Sequence, residues 1–506
     1  MSRCERSVWL LAALHAGYYG LVGSLNLATF RTSVDFAGAY QGMWQLAFRQ
    51  DQFNTVFGAH NFVNHVYGAN VLLAPLFRLW PSCHLLQWVQ IIAIALGAPV
   101  VYRLTRDRTR SELLGAAMSV TYLLSPTVVH MSRSDYYGLF PLGTLLLLTL
   151  HQLGRSRGLT LLCGALALIC QENVAPTLFL LGVYAALRID RRSGLGLMAM
   201  SLLWFAFVIG WLIPTLNDGH PTPHLAVYAI YGETPGEIIR TVLTRPGFVL
   251  KQMLLNHSGL AYLYQANAMV GFLSLLAPEV LFIDSLDLLA NLMTTYKGPH
   301  TFGRHYGLMG LAIWFYAAAI GLQRARGLAL RWKKRTGESR DEVRVERGLL
   351  LWIMTIALSF NLAWSPLPGP EAWALLRKVN DEVVVEKRKV CRAIPDRVGV
   401  SAPSDLLPHL APRAIAYAYP NPWLRSGWDG RPGDPDYGKY IVSAELTYHL
   451  ARGAEVDLLI APNVTPPPEG PFKDLVTELQ STGQFRAVMR TRNYVVLKRM
   501  ADPPTR

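Results

Sequence analysis

Four groups of polar side chains interrupt the apolar parts of this sequence. They contain the ionisable or hydrogen-bonding residues Asp35, Arg133, Asp135, Glu172, Arg304, His305 and Tyr306. Carboxylates and imidazoles can exchange protons with a substrate, and guanidinium groups can bind phosphate. A charged side chain in a membrane-spanning helix costs about 2.5–3.5 kcal/mol at the helix centre, so such residues often mark functional sites. The sequence therefore indicates a polar cavity, provided that the four groups lie at one end of the molecule.

Each group also has a structural interpretation. Asp35 could only cap a helix, because Asp is a favoured N-cap residue. Asp135 lies two positions after Arg133, and a surface ion pair between them would contribute about 0–1 kcal/mol. His305 could be an interfacial histidine without a role. Glu172 is flanked by a long apolar stretch, so the cost of placing it there favours a function.

The composition is typical of a membrane protein. Hydrophobic residues make up 51% of the 506-residue chain and charged residues only 16%, against about 25% charged residues in soluble domains. A spanning helix needs about 20 apolar residues. Eleven apolar runs approach that length, at 8–30, 84–102, 112–131, 136–153, 158–171, 173–187, 195–216, 259–275, 276–295, 305–323 and 348–366.

The net charge of +14 indicates how these spans are oriented. Lys and Arg cluster in the loops at 103–110, 155–157, 188–192 and 324–347. Basic loops remain in the cytoplasm, so we expect a multi-pass plasma-membrane protein with a cytoplasmic N-terminus. All four polar groups then fall at the outer face. Nucleic-acid binding is excluded, because the basic residues are not interleaved with base-stacking aromatics.

The first outer loop, 31–83, is predicted to contain two helices lying in the membrane interface. Phe36, Tyr40, Trp44 and Phe48 recur every four residues and would form an aromatic stripe on a helix. The segment 67–80 is apolar but short for a span. Amphipathic helices of this kind lie along a membrane surface.

After residue 366 the apolar runs of the sequence shorten to the length of strands. Residues 1–366 are predicted to form the transmembrane domain, and residues 367–506 an extracytoplasmic α/β domain. Strand-like segments occur at 397–401, 414–419, 456–461 and 493–498, with helical segments at 405–411 and 471–482. The five cysteines have no metal-like spacing. Nucleotide-binding, serine-hydrolase and metalloprotease motifs are absent from the sequence.

Several motifs resemble a bacterial and archaeal membrane family, domain of unknown function 2079. The segment from Asp35 through Gln41 to Trp44 is similar to the family's D-x-G-x-x-x-Q-x-x-W loop. His65 and the following 72–81 segment resemble its H-x-x-P and P-L-Y-x-L-x-P motifs. Gln171-Glu172-Asn173 lies where the family has K-E-D, and His305-Tyr306 where it has H-Y. The likeness covers essentially the whole chain.

That family is similar in layout to the C-type (GT-C) glycosyltransferases, which transfer a sugar from a polyprenyl-phosphate donor. The resemblance implies that Asp35 is the general base or orients the acceptor, and that Glu172 is a second catalytic candidate. It implies that substrate is bound by Gln41, Trp44, His65, Arg133, Asp135, Arg304, His305 and Tyr306. The acceptor, whether glycan, lipid or protein, stays unknown. Some relatives use a divalent metal, which here would need more oxygen ligands than these motifs supply.

Two alternatives remain open at this stage. A transporter would show broken spans with polar groups near the membrane midplane, and Asp284 and Asp287, inside the predicted span 276–295, fit that better. A non-catalytic lipid-binding or scaffold protein is the other. It is motivated by Tyr137 and Asn173, which replace a histidine and an acidic residue of the family pattern.

Overall fold

The structure is a computed structural model in which most of the chain forms a helical body. It describes residues 1–49, 51–217, 219, 222–335, 342–365, 369–423, 425–427, 441–443, 456–462 and 475–500. In chain order, the helices of the first half are α1 Arg3–Ala28, α2 Val34–Phe48, α3 Gly68–Leu79, α4 Cys83–Ala95, α5 Gly97–Thr109, α6 Glu112–Leu123, α7 Pro126–Arg133, α8 Leu142–Gln152, α9 Arg157–Leu168, α10 Val174–Arg188, α11 Arg191–Phe207 and α12 Ile213–Leu216.

Further helices complete the body and continue into the C-terminal region. They are α13 Pro235–Thr244, α14 Pro246–Lys251, α15 Gly259–Ala268, α16 Pro278–Leu281, α17 Ser285–Met293, α18 Leu308–Arg335, α19 Glu342–Trp352, α20 Leu358–Trp364, α21 Pro370–Lys378, α22 Glu382–Arg392, α23 Leu407–Leu410 and α24 Leu475–Ser481.

Five helices within the described residues are long and apolar enough to cross a membrane, and a sixth is possible if α6 and α7 form one bent span. The five are Arg3–Ala28, Cys83–Thr109, Arg191–Leu216, His305–Trp332 and Glu342–Trp364. Each overlaps an expected span. The His305–Trp332 helix is the most enclosed, with 89% of its apolar window buried, so the other helices pack around it.

The remaining expected spans are shorter or broken in the structure. Helices α8, α9 and α10 have only 10–17 residues each, although they coincide with the expected runs. Between α6 and α7 the chain bends by 48°, next to Pro126, which lacks the backbone donor a continuous helix needs. The expected spans 259–275 and 276–295 are broken into short helices, because Gly271 and Phe272 adopt positive φ and Pro278 starts a new helix.

Both helices expected in the first outer loop form. The side chain of Ser33 accepts a hydrogen bond from the backbone N–H of Asp35 and caps α2. Half of the aromatic stripe faces protein, since Phe36 and Tyr40 are buried and Tyr40 packs edge-on against Phe77 of α3, whereas Phe48 at its end is exposed. Further exposed apolar side chains lie on α3 and directly after it: Val71, Leu72, Leu76, Leu79 and Trp80.

The C-terminal region contains a mixed five-stranded sheet. Its strands are β3 Val400–Ala402, β4 Ala416–Ala418, β7 Leu458–Pro462, β8 Phe485–Arg490 and β9 Tyr494–Arg499, in the order β4-β3-β7-β9-β8. Strands β4, β3 and β7 are parallel, whereas β9 is antiparallel to both of its neighbours. Two-stranded pairs are formed by β1 Phe53–Asn54 with β2 Ala59–His60 and by β5 Arg425–Gly427 with β6 Ile441–Ser443.

The sheet packs directly on the first outer loop. Thr55 donates its hydroxyl to the carbonyl oxygen of Ala416 at 2.8 Å and accepts from the backbone N–H of the same residue at 2.9 Å. The ring of His409 lies 4.1 Å from that of Phe30. The loop and the sheet therefore lie at the same end of the helical body. The predicted strand at 456–461 becomes β7, while parts of the helical segment predicted at 471–482 fall outside the described residues.

Candidate functional site

The candidate site is built around Asp35, in the first turn of α2. The Asp35 side chain is exposed to solvent and forms no ion pair within the part of the chain that the structure describes. Protein atoms around it still displace enough water to raise the pKa of its carboxyl. A raised pKa makes a carboxylate a stronger base.

Asp135 lies beside Asp35 and closes one side of the site. The backbone N–H of Ser33, just before α2, donates to Asp135 Oδ2 at 2.9 Å. Burial raises the pKa of Asp135, the hydrogen bonds from Ser33 oppose that change, and the negative charge of Asp35 adds to it. Asp135 therefore fixes the start of α2 and lies close enough to Asp35 to influence its charge.

A buried amide holds the turn that carries Asp135. Gln90 of α4 donates to the carbonyl oxygens of Met131 at 2.8 Å and Asp135 at 3.1 Å, and it accepts from the backbone N–H of Tyr137 at 2.8 Å. Gln90 was not among the predicted site residues. The signal that could have found it is an amide inside the apolar run 84–102, since such a group must find hydrogen-bond partners when it is buried.

Aromatic rings line the other side of Asp35. Tyr137 stacks on His305, with ring centroids 4.2 Å apart, and His305 contacts Tyr306. Tyr67 and Tyr137 both lie within electrostatic range of Asp35. Gly138 permits this arrangement, because a Cβ atom there would lie 2.4 Å from Cγ of Tyr67. Nδ1 of His305 is buried and has no hydrogen-bond partner among the residues that the structure describes.

Arg304 connects this cluster to a neighbouring cavity of about 240 Å³. Its side chain is exposed and forms no ion pair among the described residues. The cavity walls are formed by Pro126, His130, Arg133, Gln265, Thr301, Phe302, Gly303, Arg304, Phe360 and Trp364. The cavity thus combines cationic groups with aromatic surfaces, a composition that suits an anionic group attached to an apolar chain.

Arg133 differs from Arg304 because it already has a partner. Its Nη2 donates to Oε1 of Glu371, in α21, at 2.8 Å. The predicted pairing of Arg133 with Asp135 is therefore wrong: Arg133 binds an acid of the region after residue 366, and Asp135 binds Ser33. Sequence spacing could not reveal the pairing with Glu371, 238 positions away.

The carboxylate of Glu172 is held by hydrogen bonds within the protein. Its Oε1 lies 2.6 Å from Nδ1 of His65, and its Oε2 accepts from the backbone N–H of Val66 at 2.9 Å. Burial alone would raise the pKa of Glu172, but His65 and the backbone donors outweigh it and lower the pKa. Both carboxylate oxygens of Glu172 are thus engaged within the protein, and its catalytic role stays a prediction.

Gln41 and Trp44 lie on α2 but do not line the cavity. Gln41 is fully buried, and its amide bonds Thr55, Val56 and the carbonyl oxygens of Arg413 and Ala414. Every hydrogen-bonding partner of this amide is thus in the protein, which fits a structural role in place of the expected substrate binding. Trp44 is partly buried, with its ring 6.1 Å from that of Phe48.

The carboxylates do not form a recognisable metal site. Among the described residues, no group of three or more His, Cys, Asp or Glu side chains could hold an ion. Magnesium and calcium need six or more oxygen ligands, of which the protein normally supplies several in calcium sites. Asp35 and Asp135 supply too few, so no step below depends on a metal.

Comparison of the sequence with family models places the chain in a known family. Residues 32–437 match the family described as predicted membrane protein, DUF2079. Because the match covers most of the chain, the protein belongs to this family. No match was found among curated proteins.

Two solved structures resemble the chain over most of its length. One is ArnT from Cupriavidus metallidurans in the apo state, with 11% sequence identity, a TM-score of 0.48 and coverage of 91% of this chain and 92% of that one. The other is the Archaeoglobus fulgidus oligosaccharyltransferase tethered with an acceptor peptide, with 13% identity, a TM-score of 0.42 and coverage of 90% and 69%. Both TM-scores are below 0.5.

Proposed function

We propose that the protein is a membrane glycosyltransferase that transfers a sugar from a polyprenyl-phosphate donor to an acceptor outside the cytoplasm. The observation that carries this proposal is that a carboxylate, Asp35, and a guanidinium, Arg304, which form no ion pair among the described residues, both lie within electrostatic range of Tyr137 and Tyr306, and that Arg304 lines an aromatic cavity. A base and an anion-binding group are what inverting sugar transfer from a phosphate requires.

In the proposed reaction Asp35 takes the proton of the acceptor hydroxyl. The acceptor oxygen then forms a bond to the anomeric carbon as the bond from that carbon to the phosphate oxygen breaks. Lipid phosphate leaves with the bonding electrons, and Arg304 stabilises its negative charge. The proton on Asp35 afterwards returns to solvent, which the exposed position of the side chain allows.

Five residues around the cavity are assigned supporting roles in this proposal. His130 faces the phosphate from the cavity wall, Tyr137 and His305 form a stacked platform beside the sugar, and the rings of Phe360 and Trp364 contact the first isoprene units. The exposed apolar face of α3 offers a surface along which the lipid reaches the cavity. Glu172, His65 and Asp135 are positioning residues that hold the outer loop.

The side of the membrane is part of the proposal. Helices α4 and α5 begin beside the outer loop and end at the basic segment Arg103–Arg110, roughly 40 Å away for 27 residues at 1.5 Å each. Basic loops stay in the cytoplasm, so the Asp35 end and the C-terminal sheet would face outward. In cells, an impermeant thiol reagent should label a cysteine at Asp51 but not one at Arg157, in a variant whose five native cysteines are replaced.

The test of the function is a transfer assay in membranes that contain the full-length protein. Radiolabelled polyprenyl-phosphate sugars are supplied with cell-envelope acceptor, and wild type is compared with Asp35→Asn and Asp381→Asn at equal expression. Asp381 is exposed and makes no capping hydrogen bond, so it controls for loss of one charge. We expect transfer by wild type and Asp381→Asn and a loss of 100-fold or more in Asp35→Asn. Equal transfer by all three would refute the role of Asp35.

A transporter is the second candidate, favoured by a different observation. Asp284 and Asp287 are buried at 1% and 5% exposure among the short helices that replace two expected spans. Asp284 accepts from the indole N–H of Trp314 at 3.0 Å, and Asp287 from Asn291 at 3.1 Å. Broken helices with buried acids occur in transporters. If none of the donors supports transfer, the deciding measurement is uptake of the same lipids by liposomes that contain the Asp287→Asn variant.

A further inference from the structure

A second cavity lies at the opposite end of the helical body from Asp35. Its volume is about 260 Å³. Its walls come from the end of α5, the end of α8 and following turn, and α18: Leu104, Asp107, Arg108, Leu150, His151, Leu153, Arg155 and Gln323. It shares no residue with the Asp35 site and plays no part in the proposed transfer.

One carboxylate in this cavity is already satisfied by cations. Asp107 Oδ1 accepts from Arg106 at 2.7 Å, and Asp107 Oδ2 accepts from Arg155 at 2.8 Å. Nε2 of His151 lies 3.4 Å from the same oxygen. Asp107 therefore neutralises one of two guanidinium groups and has little capacity left for a third.

Arg108 supplies that third guanidinium. It donates to the hydroxyl of Tyr316 at 2.6 Å and lies 4.6 Å above the centre of the tyrosine ring. In the part of the chain that the structure describes, no carboxylate forms an ion pair with it. Its charge is thus fixed in place by a neutral side chain and is left uncompensated at the cavity wall.

The apolar part of the cavity wall strengthens the electrostatic interaction of Arg108 with a ligand. Leu104, Leu150 and Leu153 are buried around the cavity, and they lower the local dielectric constant, which increases the energy of a charge interaction. Gln323, exposed on α18, adds an amide donor. A group that fits must be anionic, must accept several hydrogen bonds and must occupy about 260 Å³ together with its water.

We propose that this cavity binds a phosphate group, with Arg108 and Arg155 as its main ligands and His151 and Gln323 beside them. The phosphate can belong to the headgroup of an acidic phospholipid or to a soluble molecule, and both sources share this chemistry. Basic pockets between helices at the cytoplasmic side of membrane proteins bind acidic headgroups. The site would then be separated from the proposed transfer site by the thickness of the membrane.

The test measures binding to the purified full-length protein in a non-ionic detergent. The probes are inorganic phosphate, dihexanoyl phosphatidylglycerol and the zwitterionic dihexanoyl phosphatidylcholine, and the readout is the shift in thermal unfolding with probe concentration. The variants are Arg108→Gln and Gln323→Glu. The matched control is Arg157→Gln, which removes one positive charge two residues from Arg155, where Arg157 lies 3.6 Å from Asp190 and outside the cavity.

We expect an anionic probe to bind wild type and Arg157→Gln within twofold of each other and Arg108→Gln at least tenfold more weakly. Gln323→Glu should weaken binding by a similar factor through repulsion, and its exposed position makes a folding defect an inadequate explanation. Preference for phosphatidylglycerol over inorganic phosphate would assign the site to a lipid, and the reverse to a soluble phosphate. Equal weakening by Arg157→Gln, equal binding of phosphatidylcholine, or binding by no anionic probe would overturn the proposal.

Discussion

Glu5 and Asp107, at the basic end of the helical body, are paired with arginines, whereas Asp35 and Arg304, at the other end, are exposed to solvent. At the basic end, Glu5 lies 2.8 Å from Arg103 and 3.7 Å from Arg106, and Asp107 is bound by two further guanidinium contacts. At the other end, Asp35 and Arg304 form no ion pair within the described residues. Paired charges stabilise and orient helix ends, whereas open charges are available to a ligand. The comparison therefore separates charges that hold the structure from those that we assign to chemistry.

The largest effect is expected from breaking the pair that His65 forms with the buried carboxylate of Glu172. In His65→Ala, Glu172 keeps its buried position but loses the imidazole 2.6 Å away. Removing one partner of a buried pair costs about 3–5 kcal/mol. Chemical unfolding of the purified protein should show that loss, while His60→Ala in the same loop, where the imidazole accepts one hydrogen bond from the backbone of Phe62, should lose less than about 1.5 kcal/mol. Equal losses would mean that Glu172 is not held by His65.

The next effect is expected at Arg304. Replacing it by Gln removes a charge-assisted hydrogen bond to the donor phosphate, worth about 1.5–3 kcal/mol, so kcat/KM should fall about 10- to 150-fold. Arg133→Gln should cost less, because Glu371 already shares that guanidinium. Steady-state transfer kinetics with varied donor concentration measure both. A larger loss of kcat/KM in Arg133→Gln than in Arg304→Gln would mean that Arg133, and not Arg304, is the main phosphate ligand.

A smaller effect is expected at the basic end. Arg103 is 42% exposed, and its pairing with Glu5 is partly screened by solvent. Arg103→Gln should therefore lower the free energy of unfolding by about 0–1 kcal/mol and leave transfer unchanged. A loss of transfer at equal protein level would show that the two ends are coupled.

Asp35 and Glu172 should give activity and stability different dependences on pH. Because burial raises the pKa of Asp35 above its ordinary 3.8, its ionised form decreases before an exposed aspartate would be protonated. Transfer should fall as the pH decreases through that raised value and be constant above it. The lowered pKa of Glu172 acts on stability: its contribution is complete above the ordinary value of 4.5 and is lost as the pH falls through the lower folded value. Transfer rate and free energy of unfolding, each measured against pH, check the two directions separately.

The sequence predicted local features better than distant pairings. Helix α2 was expected from residue types four positions apart, and Asp35 at its start depends on a local Ser33 cap. The pairs His65–Glu172 and Arg133–Glu371 join residues 107 and 238 positions apart, so neither could be derived without the fold. Gln41 matched a family motif. Only the packing of the sheet on the loop shows that its amide is hydrogen-bonded to Thr55 and Arg413.

Apolar length was also an incomplete guide to spans. The runs at 259–275 and 276–295 are hydrophobic enough, yet positive φ at Gly271 and Phe272 interrupts the helix. Apolar side chains of these runs pack against other helices instead, and Ala266, Val270 and Val280 are fully buried. A hydropathy pattern cannot distinguish a side chain that faces lipid from one that faces protein.

The most direct test of the central claim compares donor binding with transfer in the same purified samples. Wild type, Asp35→Asn and Asp381→Asn are reconstituted in liposomes, and binding of a radiolabelled polyprenyl-phosphate sugar is measured alongside its transfer to acceptor. The account predicts that Asp35→Asn binds donor within about threefold of wild type but transfers at least 100-fold more slowly, while Asp381→Asn matches wild type in both. Transfer by Asp35→Asn at the wild-type rate would contradict the assignment of this end of the molecule to catalysis.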